Sequence, residues 1–481
     1  MIRYALSFLL LFPTASFAQE QLGIANSNYA GTDAAPLNPA RLAGQWPYLD
    51  INLIGLNTSV WNDHVFLSRR DHSFWGDLRA GIKGTIGDFT INESLSPGNK
   101  EVFVSAAIKG PAVALSLGKG SVGAHVTTRL HTNAVGIPTE LARFMVNGLD
   151  YPPQLGDRNH FEHVRIASAA WTEFGATYAR ILYSMGYQLI SAGATINYLQ
   201  AHHGMAAELE VLDFTVIDTM QAELHEARGS YGFTSPALNA GRGWGADLGV
   251  TFERTLDDAE RYLPHHASTG CEPMAYRWRA GLSILDIGRL AFNNAYAGSF
   301  NASTAYFLDY HAIAPAGIHG MDSLLATSFS SVVRTEGVKI GLPTALAAQF
   351  DVNVAPKVYV AANAIQNLAP RSSLRMRRTN TLGIIPRFET ERFEVALPIV
   401  LHEYDLARPS IGLMIRLNNV VIGSDHVVPM LARTDIYGFD FYVRIKWTIF
   451  KSPFCKGKKQ ARHVPGNEGA LPCVDPGQET N

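Results

Sequence analysis

Beyond residue 18 the chain has no apolar run near the length of about 20 residues that a membrane-crossing helix needs. Charge is scarce too: Asp, Glu, Lys and Arg make up 17%, where a soluble domain carries about a quarter. Neither sign dominates, and a formal net charge of −2 argues against a nucleic acid partner. Cysteines number three, at Cys271, Cys455 and Cys473. Catalytic signatures are missing as well. No G-x-S-x-G elbow occurs, Ser424 to His426 lacks triad spacing, and Gly243 and Gly245 lie in no nucleotide-binding context. His160-x-x-His163 places its two rings on opposite faces of a strand, and the pairs His202-His203 and His265-His266 read as solvated loop residues. Arg69-Arg70 and the run Arg375 to Arg378 read as loop charge, with anionic lipopolysaccharide as the alternative. The sequence therefore assigns no catalytic residue, no metal ligands and no cofactor, and the expectation is a protein that is not an enzyme.

What the chain does have is alternation. From Asp435 to Phe450 every second residue is apolar (Tyr437, Phe439, Phe441, Val443, Ile445, Trp447, Ile449), and Asp440, Arg444 and Lys446 lie between them. Side chains on a strand alternate between faces, so one face is apolar and the other polar. The run is longer than the usual 5–6 residues of a soluble strand and suits the about 9–11 residues that cross a bilayer at a tilt. Gly241 to Arg254 sharpens the point: Trp244, Leu248 and Val250 face one way, Gly243, Gly245, Asp247 and Gly249 the other. Small and polar inside with bulky and apolar outside is the inverse of a soluble core. Phe439, Phe441 and Val443 are expected to join Trp244, Leu248 and Val250 against lipid, with Asp247, Asp440 and Arg444 in the lumen. Since lipid tolerates no open sheet edge, the fold class is all-β: a single transmembrane antiparallel barrel of about fourteen strands.

Further strands are predicted at Tyr48–Thr58, Glu101–Lys109, Ala112–Gly118, Val122–Arg129, Trp171–Leu182, Leu189–Gln200 and Ala207–Thr219. Others follow at Tyr276–Phe292, Val338–Val354, Lys357–Gln366, Thr381–Pro386, Phe393–Tyr404, Ser410–Leu417 and Val420–Ser424. Gly110-Pro111 is expected to separate a strand pair, Gln221 to Asn239 to form a loop, and Pro138 to Gly148 a short amphipathic helix. Pro343 lies inside an otherwise regular strand, where a proline is tolerated only at a kink or bulge, and marks a wall kink.

The ends complete the plan. Arg3, the apolar stretch Ala5 to Phe12, Pro13 and the small residues of Ser16-Phe17-Ala18 form a secretory signal over 1–18, with the mature chain starting at Gln19. Residues 19–47 are small and polar and precede the barrel at 48–450; 451–481 is a Pro/Gly-rich periplasmic tail with Lys456, Lys458, Lys459 and Arg462. Cys455 and Cys473 are expected to form a disulfide there, leaving Cys271 unpaired.

The pattern Ala34-Ala35, Asn38-Pro39-Ala40 and Leu42 resembles the plug segment of the long-chain fatty acid and toluene transporter family. It is also similar to a wider set of uncharacterised Bacteroidetes outer-membrane barrels, PorV-like barrels among them. The resemblance implies that Asn38, Pro39 and Ala40 belong to an N-terminal plug inside the lumen, and that the protein sits in the outer membrane against its lipid. It implies passive uptake of hydrophobic or amphipathic small molecules; the PorV-like alternative is a scaffold or shuttle with a secretion-system protein partner. The transport reading places an apolar pocket against Asn38 to Leu42.

Overall fold

The computed structural model describes residues 21–68, 91–94, 96–147, 155–218, 221–266, 271–302, 306–309, 333–370, 373, 375–427, 435–453 and 455. Fourteen antiparallel strands close into one barrel. They are β1 (Leu49–Asn62), β2 (Lys100–Leu117), β3 (Gly120–Ile137), β4 (Arg158–Met185), β5 (Gln188–Val216), β6 (Gly241–Thr255) and β7 (Tyr276–Ala302). Then come β8 (Val333–Gly341 and Ala345–Ala355), β9 (Val358–Asn367), β10 (Thr381–Glu389), β11 (Phe393–Ala396 and Ile399–His402), β12 (Ser410–Ile411 and Leu413–Leu417), β13 (Val420–Ser424) and β14 (Gly438–Ile449). Each pairs with its successor, and β14 returns to β1 in a register from Leu49↔Ile449 to Trp61↔Gly438. Closure leaves no free edge in the wall.

The alternation in the sequence sets which way each strand faces. Trp244 is 65% exposed on the outside, and Leu248, Val250, Phe439, Phe441, Ile445 and Trp447 are exposed with it. Asp247, Asp440, Arg444 and Lys446 are buried on the inside. Tight turns between β2 and β3, β4 and β5, β8 and β9, β10 and β11, and β12 and β13 lie on one rim, the turn rim. The longer connections lie on the other, the loop rim. The turn rim also carries the start of β1, the end of β14 and one long loop, residues 256–275.

Several elements differ from the sequence expectation. Gly110-Pro111 does not separate two strands: β2 runs through it with a bulge, its register to β3 slipping between Lys109 and Ala112. A proline without an N–H is accommodated where the ladder already skips. β4 and β5 are single strands of 28 and 29 residues that overshoot the loop rim. Residues 158–170 and 201–206 hide this because the β4–β5 register slips between Ala170 and Trp171 and cross-strand ion pairs such as Arg158–Asp213 and Arg165–Glu208 break the apolar–polar alternation. Gln221–Phe233, expected as loop, is a strand between the far ends of β5 and β7. Its apolar side joins Phe161, Val164, Phe214 and Val216 in a cluster with Leu141 and Ala142 of the Thr139–Asn147 helix.

Candidate functional site: the plugged lumen

Residues 21–47 fill the barrel. They form three short turns, Leu22–Ala25, Gly31–Asp33 and Pro39–Leu42, and Leu22, Ile24, Leu37, Asn38, Ala40 and Leu42 are all at most 1% exposed. Arg41 ties the segment to itself: its guanidinium donates to the carbonyls of Asn26 (3.0 Å), Ser27 (2.9 Å) and Ala25. Leu22, Ile24 and Leu37 pack on Ala345, Ala347, Ile365, Ile385 and Val421 of the β8–β13 wall. Leu42 and Ala43 pack on Ala114, Ala179, Ile181 and Leu189 of the opposite side.

Asn38, Pro39 and Ala40 lie flat on β5–β7. The Asn38 carboxamide oxygen accepts from the Ala40 N–H (3.0 Å), and its amide donates to the Val250 carbonyl (3.1 Å) and to Gln349 (3.2 Å). Gln349 and Ser283 both donate to the Leu37 carbonyl, at 3.1 and 2.6 Å. This fit requires glycine in the wall. A Cβ on Gly193 would lie 2.6 Å from the Pro39 carbonyl carbon, and one on Gly249 would overlap the Asn38 side chain. Gly193 and Gly249 are cross-strand partners, so together they form a shelf for this turn.

Charge fixes the rest. Asp33 meets Lys109 at 2.9 Å, Lys446 at 3.0 Å and Arg444 at 3.2 Å. Asp50 of β1 meets the same Lys446 (3.0 Å) and accepts from the Thr32 N–H and hydroxyl (2.8 Å each). Asn28 accepts from the Tyr276 hydroxyl (2.9 Å), which also donates to Asp351 (2.7 Å); Asp351 pairs with Arg387 at 2.7 Å and Arg279 at 3.1 Å. Ser27 donates to Glu394 (2.7 Å), the partner of Arg416 (2.9 Å). Sequence reasoning missed Asp33. The available signal was a single acid in a small, neutral segment facing a wall with inward Lys109, Arg444 and Lys446.

A cavity of about 150 Å³ remains beside the plug. Thr32, Asp33 and Ala35 to Leu37 line one side; Phe103, Lys109, His125, Arg129, Leu285 and Asp286 line the other. It does not lie against Asn38 to Leu42, where those residues pack directly on the wall, and it is not purely apolar. Its ion pairs turn their cations inward: the Lys109 side chain is 16% exposed against 2% for Asp33, and Arg129 is 20% exposed against 5% for Asp286. The cavity thus offers N–H donors beside the apolar faces of Leu37, Phe103 and Leu285.

Pro343 lies in the gap between the two pieces of β8. There Leu342 donates to Gly288 (3.0 Å) and Thr344 folds back to the Leu342 carbonyl (2.8 Å). Opposite, β7 has its own bulge, the register to β6 slipping between Ile284 and Ile287. Asp286, in that bulge, has a left-handed φ of 52° and holds Arg129 (2.8 Å) and Arg378, and its N–H donates to Asp247 (2.7 Å). Thr344 donates to the Asp286 carbonyl (2.8 Å). The wall irregularity and the cavity therefore share Leu285 and Asp286.

Other sequence readings change. Arg377 and Arg378 are buried rather than solvated, donating to Ala369 and Asp286, because the loop before β10 folds into the lumen. Arg375 of the same run is exposed. Arg69-Arg70 lies outside the described residues. His202 and His203 bond the carbonyls of Leu238 and Thr234 at 2.8 Å each. Cys455 is bonded to Cys271, not to Cys473, which lies outside the described residues. The reason is proximity: residues 256–266 fold over the plug exit, where His265 bonds the Gln45 carbonyl (3.0 Å), and Cys455 lies six residues beyond the end of β14. Burial lowers the His265 pKa, so its imidazole is held neutral there.

Solved structures similar to this chain include the Ralstonia pickettii toluene transporter TbuX, with 11% identity, 90% of this chain and 98% of that one covered, and a TM-score of 0.40. The Pseudomonas putida toluene transporter TodX is another, at 10% identity, 91% and 100% coverage and a TM-score of 0.33. No curated protein matches. Residues 39–425 match the family of unknown function DUF5723, and the chain belongs to that family.

Proposed function

We propose that this protein is an outer-membrane channel for passive uptake of hydrophobic or amphipathic small molecules, exported by cleavage after Ala18, with 19–47 as its plug and 451–481 as a periplasmic tail. The observation that carries the reading is the meeting of the cavity beside the plug with the β7–β8 irregularity at Leu285, Asp286 and Pro343. A plug blocks straight diffusion. A solute that partitions into lipid gains little from a wide aqueous pore, but it can leave sideways where the hydrogen-bond ladder is interrupted. Leu37, Phe103 and Leu285 accept its apolar body, while Lys109 and Arg129 accept a polar or anionic end. No step requires chemistry, so the site holds a solute without transforming it.

The test is uptake of a fluorescent hydrophobic probe into liposomes carrying the protein, beside a variant lacking residues 31–44. The native protein should take up the probe several-fold faster than empty liposomes while staying closed to a hydrophilic dye, and the deletion should open it to both. Negligible probe uptake by both proteins, with stable co-purification of a secretion protein, would overturn the reading.

A further inference from the structure

The outer surface carries basic residues where the apolar belt of β6–β8 ends toward the loop rim. Arg242, Arg289 and Lys339 are all exposed there. The register sets them together: Ala291 of β7 pairs with Arg242 on one side and Lys339 on the other. Arg289, two residues along β7, faces outward like Ala291, with buried Leu290 between them. Strands lie about 4.8 Å apart, so Arg242 and Lys339 straddle β7 with backbones about 10 Å apart. Arg375 adds a fourth cation. It lies over the outer side of Gly341, the partner of Arg289, and reaches Thr344 at 3.5 Å.

These four differ from the cations inside the barrel. Lys109, Arg129, Arg387, Arg416 and Lys446 each sit against a carboxylate. Among the described residues, Arg242, Arg289, Lys339 and Arg375 have no acidic partner. Directly below lies greasy surface: Trp244, edge-on to Tyr198 at 5.4 Å, then Leu248, Leu282 and Ile287, all exposed. A patch of unpaired cations bordering an apolar belt matches a ligand with a multiply charged head and acyl chains. Guanidinium groups favour phosphate, which they engage through paired N–H donors.

We propose that this patch binds the phosphate groups of a phosphorylated glycolipid in the leaflet facing the loop rim, its acyl chains lying along Trp244, Leu248 and Ile287. The proposal goes beyond solute uptake and needs only that the barrel spans a membrane. The bound lipid sits next to Gly341–Thr344, the interrupted part of β8.

The test is retention of bis-phosphorylated lipid A, measured by native mass spectrometry on the full-length protein in detergent. An Arg242→Gln/Arg289→Gln/Lys339→Gln variant should bind at least about tenfold more weakly, each basic side chain near an anionic surface having a measurable share. An Arg180→Gln/Arg254→Gln control on the turn rim should bind nearly as the native protein does, and an Arg242→Lys/Arg289→Lys variant, which keeps the charge but loses the paired N–H donors, should fall between the native protein and the triple variant. Dephosphorylated lipid A should be retained poorly. Equal retention of phosphorylated and dephosphorylated lipid, equal binding by the triple variant, or equal loss in the turn-rim control would overturn the proposal. Full displacement by millimolar inorganic phosphate would overturn it too, since free phosphate would then be the ligand.

Discussion

At the residue scale, the plug depends on atoms that are absent. Gly193 and Gly249 leave the space that Pro39 and Asn38 occupy, so Gly249→Val must push the turn off its shelf. The expected outcome is a folded barrel that admits a hydrophilic dye, read by liposome leakage against the native protein. Asp33 is the reciprocal case. It is one buried carboxylate among three cations, Arg444 and Lys446 buried and Lys109 partly open to the cavity. Asp33→Asn leaves Lys109, Arg444 and Lys446 with less compensation, and breaking a buried ion-pair network costs about 3–5 kcal/mol. Much of that loss should appear as release of the segment from the lumen, visible as protease cleavage within residues 21–47. On the outer face, Phe441→Arg should lower barrel stability by about 2–4 kcal/mol if its height is near the bilayer midplane, measured by unfolding from lipid.

At the element scale, residues 256–266 and 271–275 form the strap over the plug exit, held by His265 on Gln45 and by Cys271–Cys455. The His265 pKa is lowered from an ordinary 6.5 by burial, so its contribution is complete above that pH and is lost as the pH falls through the lower folded value. Hydrogen-exchange protection of the described loop residues, corrected for the pH dependence of the intrinsic rate, should therefore fall on acidification below 6.5, and a His265→Gln variant should lack that acid-dependent step. How far such elements were legible depended on their two faces. β6 and β14 read cleanly because one face meets apolar surroundings and the other a polar lumen, so the period of two survives in the residues. β4, β5 and Gln221–Phe233 blurred where they rise past the rim, since register slips and charged pairs such as Arg165–Glu208 interrupt the alternation of apolar and polar residues there. The 256–275 loop carries no periodic signal for its position over the plug, and so Cys271 looked solitary. Asn38 to Ala40 stood out only through a short motif; Asp33, the plug's most connected charge, belongs to no motif and becomes visible once the lumen's cations are assembled in space.

At the scale of the whole molecule, the proposed uptake combines the apolar belt, the filled lumen and the interrupted wall into a lateral route from the cavity. The outward-facing partners Ile284 of β7 and Leu346 of β8 lie beside the interruption. Their backbones are adjacent across the ladder, within the separation a disulfide spans. Replacing both with cysteine and oxidising the pair would staple the wall next to Pro343 without touching the plug. Uptake of the hydrophobic probe into liposomes is then compared with an Ile284→Ser/Leu346→Ser control. If the solute leaves through the wall, the stapled protein should slow uptake several-fold while both proteins remain closed to hydrophilic dye; equal uptake by stapled and control proteins would contradict the lateral route.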